Sequence, residues 1–381
     1  MLFRSRGANP CDPNLDHRWA LARGIPLELA TMALSDIVRS AEQALNKTAV
    51  RVASKRGWVP AISGYTGYGS QHSIRIYGRI MAVDPENPLP HAVGNPDDET
   101  AQRGWRQFLT VQLTEHPFTV TIGEKHVHAH TDDNGYIDIS MDNPGLEPGW
   151  HKARLSTAGA EDAVADIMIV DSERPVGIIS DIDDTILVTW LPRALVAAWN
   201  SWIKKTNTRT PVDGMAAFFA RLRQAHPDAP IFYLSTGAWN TYRTLKRFMR
   251  RHGFPEGPML LTDWGPTETG LFRNGMEHKK VQLRNLIIDY PHMTWILIGD
   301  DGQHDPLIFS EVIKEHPTQI KMVAVRTLSP REHVLSHGTL APLAEVAKNA
   351  RATVPIIHGQ NGHVLIEEFA AKPFGAKPFE A

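Results

Sequence analysis

Two textures of hydrophobic and polar positions divide the chain. From Ala49 to about Asp171, apolar and polar residues alternate in short segments: Ser73–Ile80, Phe118–Ile122, Lys125–His130, Tyr136–Ser140 and Gly149–Leu155. Turn clusters such as Asp132-Asp133-Asn134-Gly135 and Asn143-Pro144-Gly145 separate them. Short alternating runs between turn residues predict half-buried strands and an all-β sandwich. The stretch 84–103, rich in Pro, Asp and Asn, predicts a long surface loop. From Ser172 onward apolar runs alternate with helical periodicity. Strands are expected at Val176–Asp181, Ile231–Ser235, Met259–Thr262, Trp295–Asp300 and Ile320–Arg326. Helices are expected at Gly214–His226, Trp239–His252, Lys279–Asp289 and Asp305–His316. That alternation implies a parallel sheet whose ligands sit at the carboxyl ends of its strands.

Outside these two regions the pattern is weaker. Residues 1–24 are polar and basic, and Ile25–Asn46 reads as a helix with an imperfect apolar stripe. Packing on a neighbouring domain is preferred for it over a membrane-surface role. After Thr353 the chain reads as a disordered tail ending in a repeated Ala-Lys-Pro-Phe. The expected organisation is an N-terminal segment (1–48), a β-sandwich (49–171), an α/β domain (172–352) and a tail (353–381).

Composition narrows the partners. With 381 residues, 42% apolar and 22% charged, the chain has room for two domains of ordinary globular character. A net charge of -2 offers no general attraction to nucleic acid or to an anionic bilayer. The single cysteine, Cys11, excludes an intrachain disulfide and suits a reducing compartment. The N-terminus carries no apolar signal region, and no stretch approaches the roughly 18 apolar residues of a membrane span. A cytoplasmic protein is expected, with peripheral membrane contact left open.

Chemistry concentrates where the first α/β strand ends. Val176–Thr185 reads V-G-I-I-S-D-I-D-D-T, an apolar run that terminates in Asp181, Asp183 and Asp184. Carboxylates delivered to a strand end are costly unless paired, hydrogen-bonded or bound to a cation. The order D-x-D-x-T resembles the first motif of the haloacid-dehalogenase phosphatases. Three further segments follow in matching order. They are Ser235 in I-F-Y-L-S-T-G, Lys279 in E-H-K, and Asp300 with Asp305 in I-L-I-G-D-D-G-Q-H-D. Taken singly, each could be a helix cap; together on an α/β pattern they are hard to explain that way.

Each residue type suits a role in phosphoryl transfer. Asp181 is the candidate nucleophile and Asp183 the general acid and base. Thr185, Ser235, Thr236 and Lys279 are the candidate phosphate-binding groups. Oxygen ligands from Asp181, Asp300 and Asp305, with Asp183 contributing through its main-chain carbonyl, suit Mg²⁺. Asp184 is expected to face away. Two other features carry less weight. Gly64-Tyr65-Thr66-Gly67-Tyr68-Gly69 lacks the context of a phosphate loop and reads as a tight loop. His126, His128 and His130 share one strand face, where a transition-metal site is a minor alternative to a solvated face.

The match is closer than the superfamily. D-I-D-D-T-I at 181, Y-L-S at 233, G-P-M-L-L-T-D-W-G at 257, E-H-K at 277 and G-D-D-G-Q-H-D-P at 299 resemble the actin-patch-associated phosphatidate phosphatase family. In the β-rich region G-Y-T-G-Y-G, I-Y-G-R, T-D-D-N-G-Y and P-G-W-H are similar to it as well. The resemblance implies a haloacid-dehalogenase-like, lipin-like catalytic domain behind a β domain. It also implies Mg²⁺-dependent hydrolysis of phosphatidate to diacylglycerol. Two departures stand out: Asp301 where the family usually has Ser, and Thr236-Gly237-Ala238-Trp239 where it often reads Pro-Trp after the serine. The gap between Ser235 and Lys279 is too short for a large cap. The segment Ile186–Thr210, with Trp190, Trp199, Trp202, Lys204 and Lys205, reads equally as a membrane-facing flap or as packing. A soluble phosphomonoesterase and a non-catalytic membrane or protein adaptor remain the competing readings.

Overall fold

In a computed structural model, described for residues 52–53, 55–85, 111–171, 174–188, 210–262, 275–302, 305–330, 332 and 354–371, the two textures become two sheets. The helix expected at 25–46, the segment 189–209 with its tryptophans, and the last ten residues lie outside the described residues, as does most of the loop expected at 84–103.

The first sheet has eight strands. They are β1 (Val59–Gly69), β2 (Ser73–Val83), β3 (Val111–Gln112), β4 (Pro117–Ile122), β5 (Lys125–His130), β6 (Tyr136–Asp142), β7 (Gly149–Ser156) and β8 (Ala163–Ile169). Their order is β3-β2-β1-β8-β7-β4-β5, with β6 also paired to β2. The expected two-sheet sandwich is thus a single curled sheet. A Cβ at Gly78 on β2 would lie 2.9 Å from Leu155 of β7, three strands away in the order. The curl lets one sheet enclose its own core of Ile74, Ile76, Ile80, Phe118, Val120, Leu155 and Ile167. Alternation is clearest in β4, whose residues run exposed, buried, half-buried, buried, half-buried, buried.

The second sheet is parallel throughout, in the order β11-β10-β9-β12-β13-β14. Its strands are β9 (Val176–Asp181), β10 (Ile231–Ala238), β11 (Met259–Thr262), β12 (Thr294–Asp300), β13 (Ile320–Arg326) and β14 (Ile356–Gly359). The helices are α1 (Met215–Ala225), α2 (Tyr242–Arg251, after a 3₁₀ turn at Trp239–Thr241), α3 (Gly275–Asp289), α4 (Asp305–Glu315) and α5 (Gly362–Ala371). All six residues of β9 are buried, as a parallel strand covered on both faces requires. Two expectations are corrected. The chain after Thr353 is not irregular throughout: β14 pairs with β13, and α5 packs Leu365 and Phe369 into the core. Helix α3 starts at Gly275, so Lys279 sits in its second turn rather than its first.

Gly64–Gly69 is not a tight loop either. It forms the second half of β1, with a register shift between Tyr65 and Tyr68. Its glycines serve close approach: a Cβ at Gly64 would lie 2.2 Å from the Val164 carbonyl, and one at Gly67 2.2 Å from the Arg75 carbonyl. Its tyrosines join the two sheets. Tyr65 stacks on Trp239 at 4.7 Å, and Tyr68 meets Phe232 edge-on at 5.4 Å. The polar atoms of the seam are paired: Thr66 with the Tyr242 hydroxyl, Tyr68 to Asp289 at 3.1 Å, and Tyr290 to the Gly69 carbonyl at 3.0 Å.

Candidate active site

Strand order places the site. From β9 the chain adds β10 and β11 on one side and β12, β13 and β14 on the other, so the order reverses at β9. A crevice opens at the carboxyl ends of strands at such a switch point. Asp181 ends β9 and Asp300 ends β12, its neighbour. Ser235 comes from β10 on the other side. Asp305, the first residue of α4, completes the set at a helix N-terminus, where negative charge is favoured. The Gly299-Asp300 pair has a steric reason: a Cβ at Gly299 would lie 2.5 Å from Asp305 Oδ2. Only glycine lets that carboxylate press against β12.

The side chains converge. Carboxylate oxygens of Asp181, Asp300 and Asp305 lie within 4.8 Å of one another, and all three residues are buried. Lys279 Nζ stands 2.6 Å from Asp181 Oδ1 and 2.8 Å from Asp305 Oδ1. The Thr185 hydroxyl donates to Asp181 Oδ2 at 3.2 Å, and the Gly302 N–H donates to Asp300 Oδ1 at 2.7 Å. Three oxygens stay without a hydrogen-bond partner although fully buried: Asp181 Oδ1, Asp300 Oδ2 and Asp305 Oδ2. The first has the Lys279 ammonium at 2.6 Å as its ion-pair partner.

Three carboxylates against one ammonium leave the cluster short of positive charge. Burial, and then the neighbouring carboxylate charges, push Asp300 well above the usual carboxylate range. Burial also pushes Asp181 up, against the pull of Lys279. Burial opposes the charge of Lys279, yet Asp181, Asp305 and Asp300 outweigh it and raise its pKa. Buried carboxylate oxygens without hydrogen-bond partners, in a cluster with more negative than positive charge, are what a hard divalent cation satisfies. The residues present therefore fit Mg²⁺.

Asp183 differs from the trio. It is half-buried, and its carboxylate accepts a hydrogen bond from the Ser235 hydroxyl at 2.7 Å, while Ser235 Oγ accepts from the Gly237 N–H at 2.8 Å. Its side chain belongs to the Ser235 side of the crevice, apart from the carboxylate trio. Thr236 lies beside it, half-buried, its carbonyl accepting from the Thr262 hydroxyl. Asp184, expected to face away, is buried with φ 56, and its charge adds to the upward push on Asp300. Asp301 braces the next loop, accepting from the Leu328 N–H at 2.7 Å. Arg326, and Glu332 beside it, lie outside every motif that the sequence singles out. The alternating triad on β5 does not converge: His126, His128 and His130 are all exposed, two of them bonded to Thr121 and Thr119. Among the described residues the aspartate trio is the one cluster suited to a metal ion.

A lysine and a group of carboxylates gather at the switch point of a parallel sheet, where α/β folds place their ligands. Residues 176–327 match the family model described as "Phosphatidate phosphatase APP1, catalytic domain". That segment is similar to the APP1-type catalytic domain, in line with the resemblance of its motifs. Phosphatidate phosphatase APP1 of Saccharomyces cerevisiae is 25% identical over 270 residues, covering 65% of this chain and 44% of the yeast protein. An uncharacterized protein of Schizosaccharomyces pombe is 24% identical over 300 residues, covering 72% of this chain and 47% of its own length. The chain thus spans about half the length of the curated relatives it matches. Among solved structures, a carbohydrate acetylesterase from Xanthomonas citri aligns over 75% of this chain and 72% of its own. Its identity is 9% and its TM-score 0.24, too low to support an argument about fold or function.

Proposed function

We propose that the chain is a Mg²⁺-dependent phosphatidate phosphatase of haloacid-dehalogenase type, releasing diacylglycerol and phosphate through an aspartyl-phosphate. The observation that carries the reading is the trio Asp181, Asp300 and Asp305 around Lys279, inside a segment matching the APP1 catalytic domain. Asp181, Asp300 and Asp305 would hold the cation, which supplies the largest positive charge for the phosphoryl oxygens and their developing negative charge.

The chain's own residues account for the rest. The Asp181 carboxylate attacks phosphorus, and the bond from phosphorus to the glycerol oxygen breaks. Asp183, in its acid form, gives that alkoxide its proton. Asp183 then takes a proton from water, which attacks the aspartyl-phosphate and frees Asp181. The half-buried position of Asp183 suits a group that must meet both leaving group and water. Its bond to Ser235 fixes where its carboxylate points. Lys279, fully charged and already against Asp181, neutralises the incoming phosphoryl group.

The test is phosphate release from phosphatidate vesicles, with Mg²⁺ and with chelator, for wild type and Asp183→Asn. Asp183→Asn is expected to lower kcat by about 10²- to 10⁴-fold. Turnover that survives exhaustive chelation, or an undiminished Asp183→Asn variant, contradicts the proposal. A parallel panel of small phosphate esters separates a lipid phosphatase from a soluble phosphomonoesterase.

A further inference from the structure

Arg326 ends β13, outside every motif that suggested the reaction, and is 5% exposed. A guanidinium so buried must find acceptors for its donors. It finds three on separate segments. One nitrogen donates to the Asp184 carbonyl at 2.7 Å, a second to Glu332 Oε1 at 2.6 Å, and Nε to the Gln360 carbonyl at 3.3 Å.

The first of these acceptors belongs to the turn that carries Asp181 and Asp183. Asp184 occupies the left-handed region with φ 56, an uncommon backbone state for a side-chain-bearing residue, though aspartate adopts it more readily than most. Its N–H donates to the Leu187 carbonyl at 2.9 Å. A charge-assisted hydrogen bond to its carbonyl holds the same residue from the other side. Glu332 in turn is held by the Ser329 N–H at 2.9 Å and the Ser329 hydroxyl at 2.8 Å, so the guanidinium has a fixed anchor. Those bonds, with Arg326, hold the Glu332 carboxyl below its usual range against the opposing effect of burial.

The same segment grips the second carboxylate loop. The Asp301 N–H donates to the Arg326 carbonyl at 2.9 Å, and the Leu328 N–H donates to Asp301 Oδ1 at 2.7 Å. Leu328 also packs so closely on Gly302 that a Cβ there would lie 1.9 Å from it. Arg326 and Leu328, anchored by Glu332, therefore strap the Asp181–Asp184 turn to the Asp300–Gly302 loop. The two loops supply carboxylates that must keep their spacing for one cation. Asp301 fastens the strap through both its N–H and its carboxylate.

We propose that Arg326 is a positioning residue that sets the distance between Asp181 and Asp300 by holding the Asp184 carbonyl. The proposal rests on the cation-binding reading of the trio. Outer partners of metal ligands commonly change affinity or activity by about 10- to 100-fold when removed. The experiment compares wild type with Arg326→Met, Arg326→Lys and Glu332→Gln. It measures Mn²⁺ binding by electron paramagnetic resonance, and kcat and KM on phosphatidate vesicles, with circular dichroism and thermal melts as the folding control. Arg326→Met is expected to weaken Mn²⁺ binding and lower kcat by about 10- to 100-fold each, with KM within about twofold of wild type. Arg326→Lys should recover part of both, since an ammonium reaches fewer acceptors than the fork. Glu332→Gln should show a smaller loss of the same kind. Millimolar guanidinium should restore part of the activity of Arg326→Met.

Wild-type Mn²⁺ affinity and kcat in a folded Arg326→Met protein overturn the proposal. So does a loss that only follows the unfolded fraction. Should Arg326→Met not fold, Arg326→Lys decides on the same readouts: weaker Mn²⁺ binding with lower kcat supports the clamp, and wild-type values sink it. If wild type releases no phosphate from phosphatidate, the substrate reading fails, and the Mn²⁺ titrations still decide the role of Arg326.

Discussion

The candidate cleft and the seam between the two sheets are both largely buried and both carry polar groups, and they differ in how those groups are matched. In the seam several polar side chains pair across the two sheets. Thr66 meets Tyr242, Tyr68 meets Asp289, Arg243 donates to Ser63 at 3.1 Å, and Lys246 pairs with Asp166 at 2.9 Å. Aromatic rings fill the space between, with Tyr65 on Trp239 and Tyr68 against Phe232. In the cleft two buried carboxylate oxygens, Asp300 Oδ2 and Asp305 Oδ2, lack a hydrogen-bond partner, and burial pushes Asp181 and Asp300 well above the usual carboxylate range. The seam is arranged for stability. The cleft holds more negative than positive charge, which costs stability in the isolated chain and, on the proposed function, would be offset by a cation.

The sharpest test of that contrast is a substitution with opposite effects on activity and stability. Asp181→Asn should lower turnover by about 10⁴-fold or more while leaving the metal-free protein as stable as wild type or more so. Phosphate release and chemical denaturation measure the two sides. A large loss of metal-free stability would erase the distinction. In the seam the reverse is expected. Tyr65→Ala should cost about 3–5 kcal/mol in urea denaturation, with kcat unchanged for the molecules that remain folded.

Proton linkage separates the regions further. Asp181 and Asp300 hold a proton more tightly in the folded than in the unfolded chain. The unfolded state loses its protons first as pH rises, so the metal-free protein should lose stability above about pH 4 until the raised folded values are passed. Melts across pH, repeated with saturating Mg²⁺, test this. With the cation present the slope should shrink, and binding at a hundredfold excess over Kd should add about 2.7 kcal/mol. The smallest effect belongs to the surface, where Arg284 forks onto Glu315 at 2.6 and 2.7 Å. Glu315→Gln should change stability by about 0.2–1 kcal/mol, less at high salt, as denaturation at two ionic strengths will show.

The site was more legible than the fold around it. The positions of Asp181 and Asp300 could be read directly, because a parallel strand is an apolar run and the polar residues that follow it stand at its carboxyl end. Strand β5 was equally plain, since alternation fits an exposed edge. Gly64–Gly69 misled because glycine marks turns in most sequences. Here it permits backbone to lie against backbone beneath the tyrosines. Strand β14 and α5 were missed because β14 is only four residues long and falls in the stretch after Thr353 that reads as a disordered tail. Arg326 carried no signal at all, for an arginine ending a strand looks like any surface cation.

The sequence alone determined the order of the elements from Val176 to Arg326, the parallel character of the second sheet and which carboxylates would stand at its strand ends. These follow from local periodicity, which a single chain segment expresses by itself. Only the tertiary structure decided that the alternating strands would curl into one sheet and that G-Y-T-G-Y-G would become the seam. It alone put Asp183 beside Ser235 rather than among the trio, and Arg326 behind Asp184. Those outcomes depend on which segments meet across 52 or 142 residues of chain. Burial then gives the pairings their energy, since a charge or an amide removed from water has to take the partner that packing supplies.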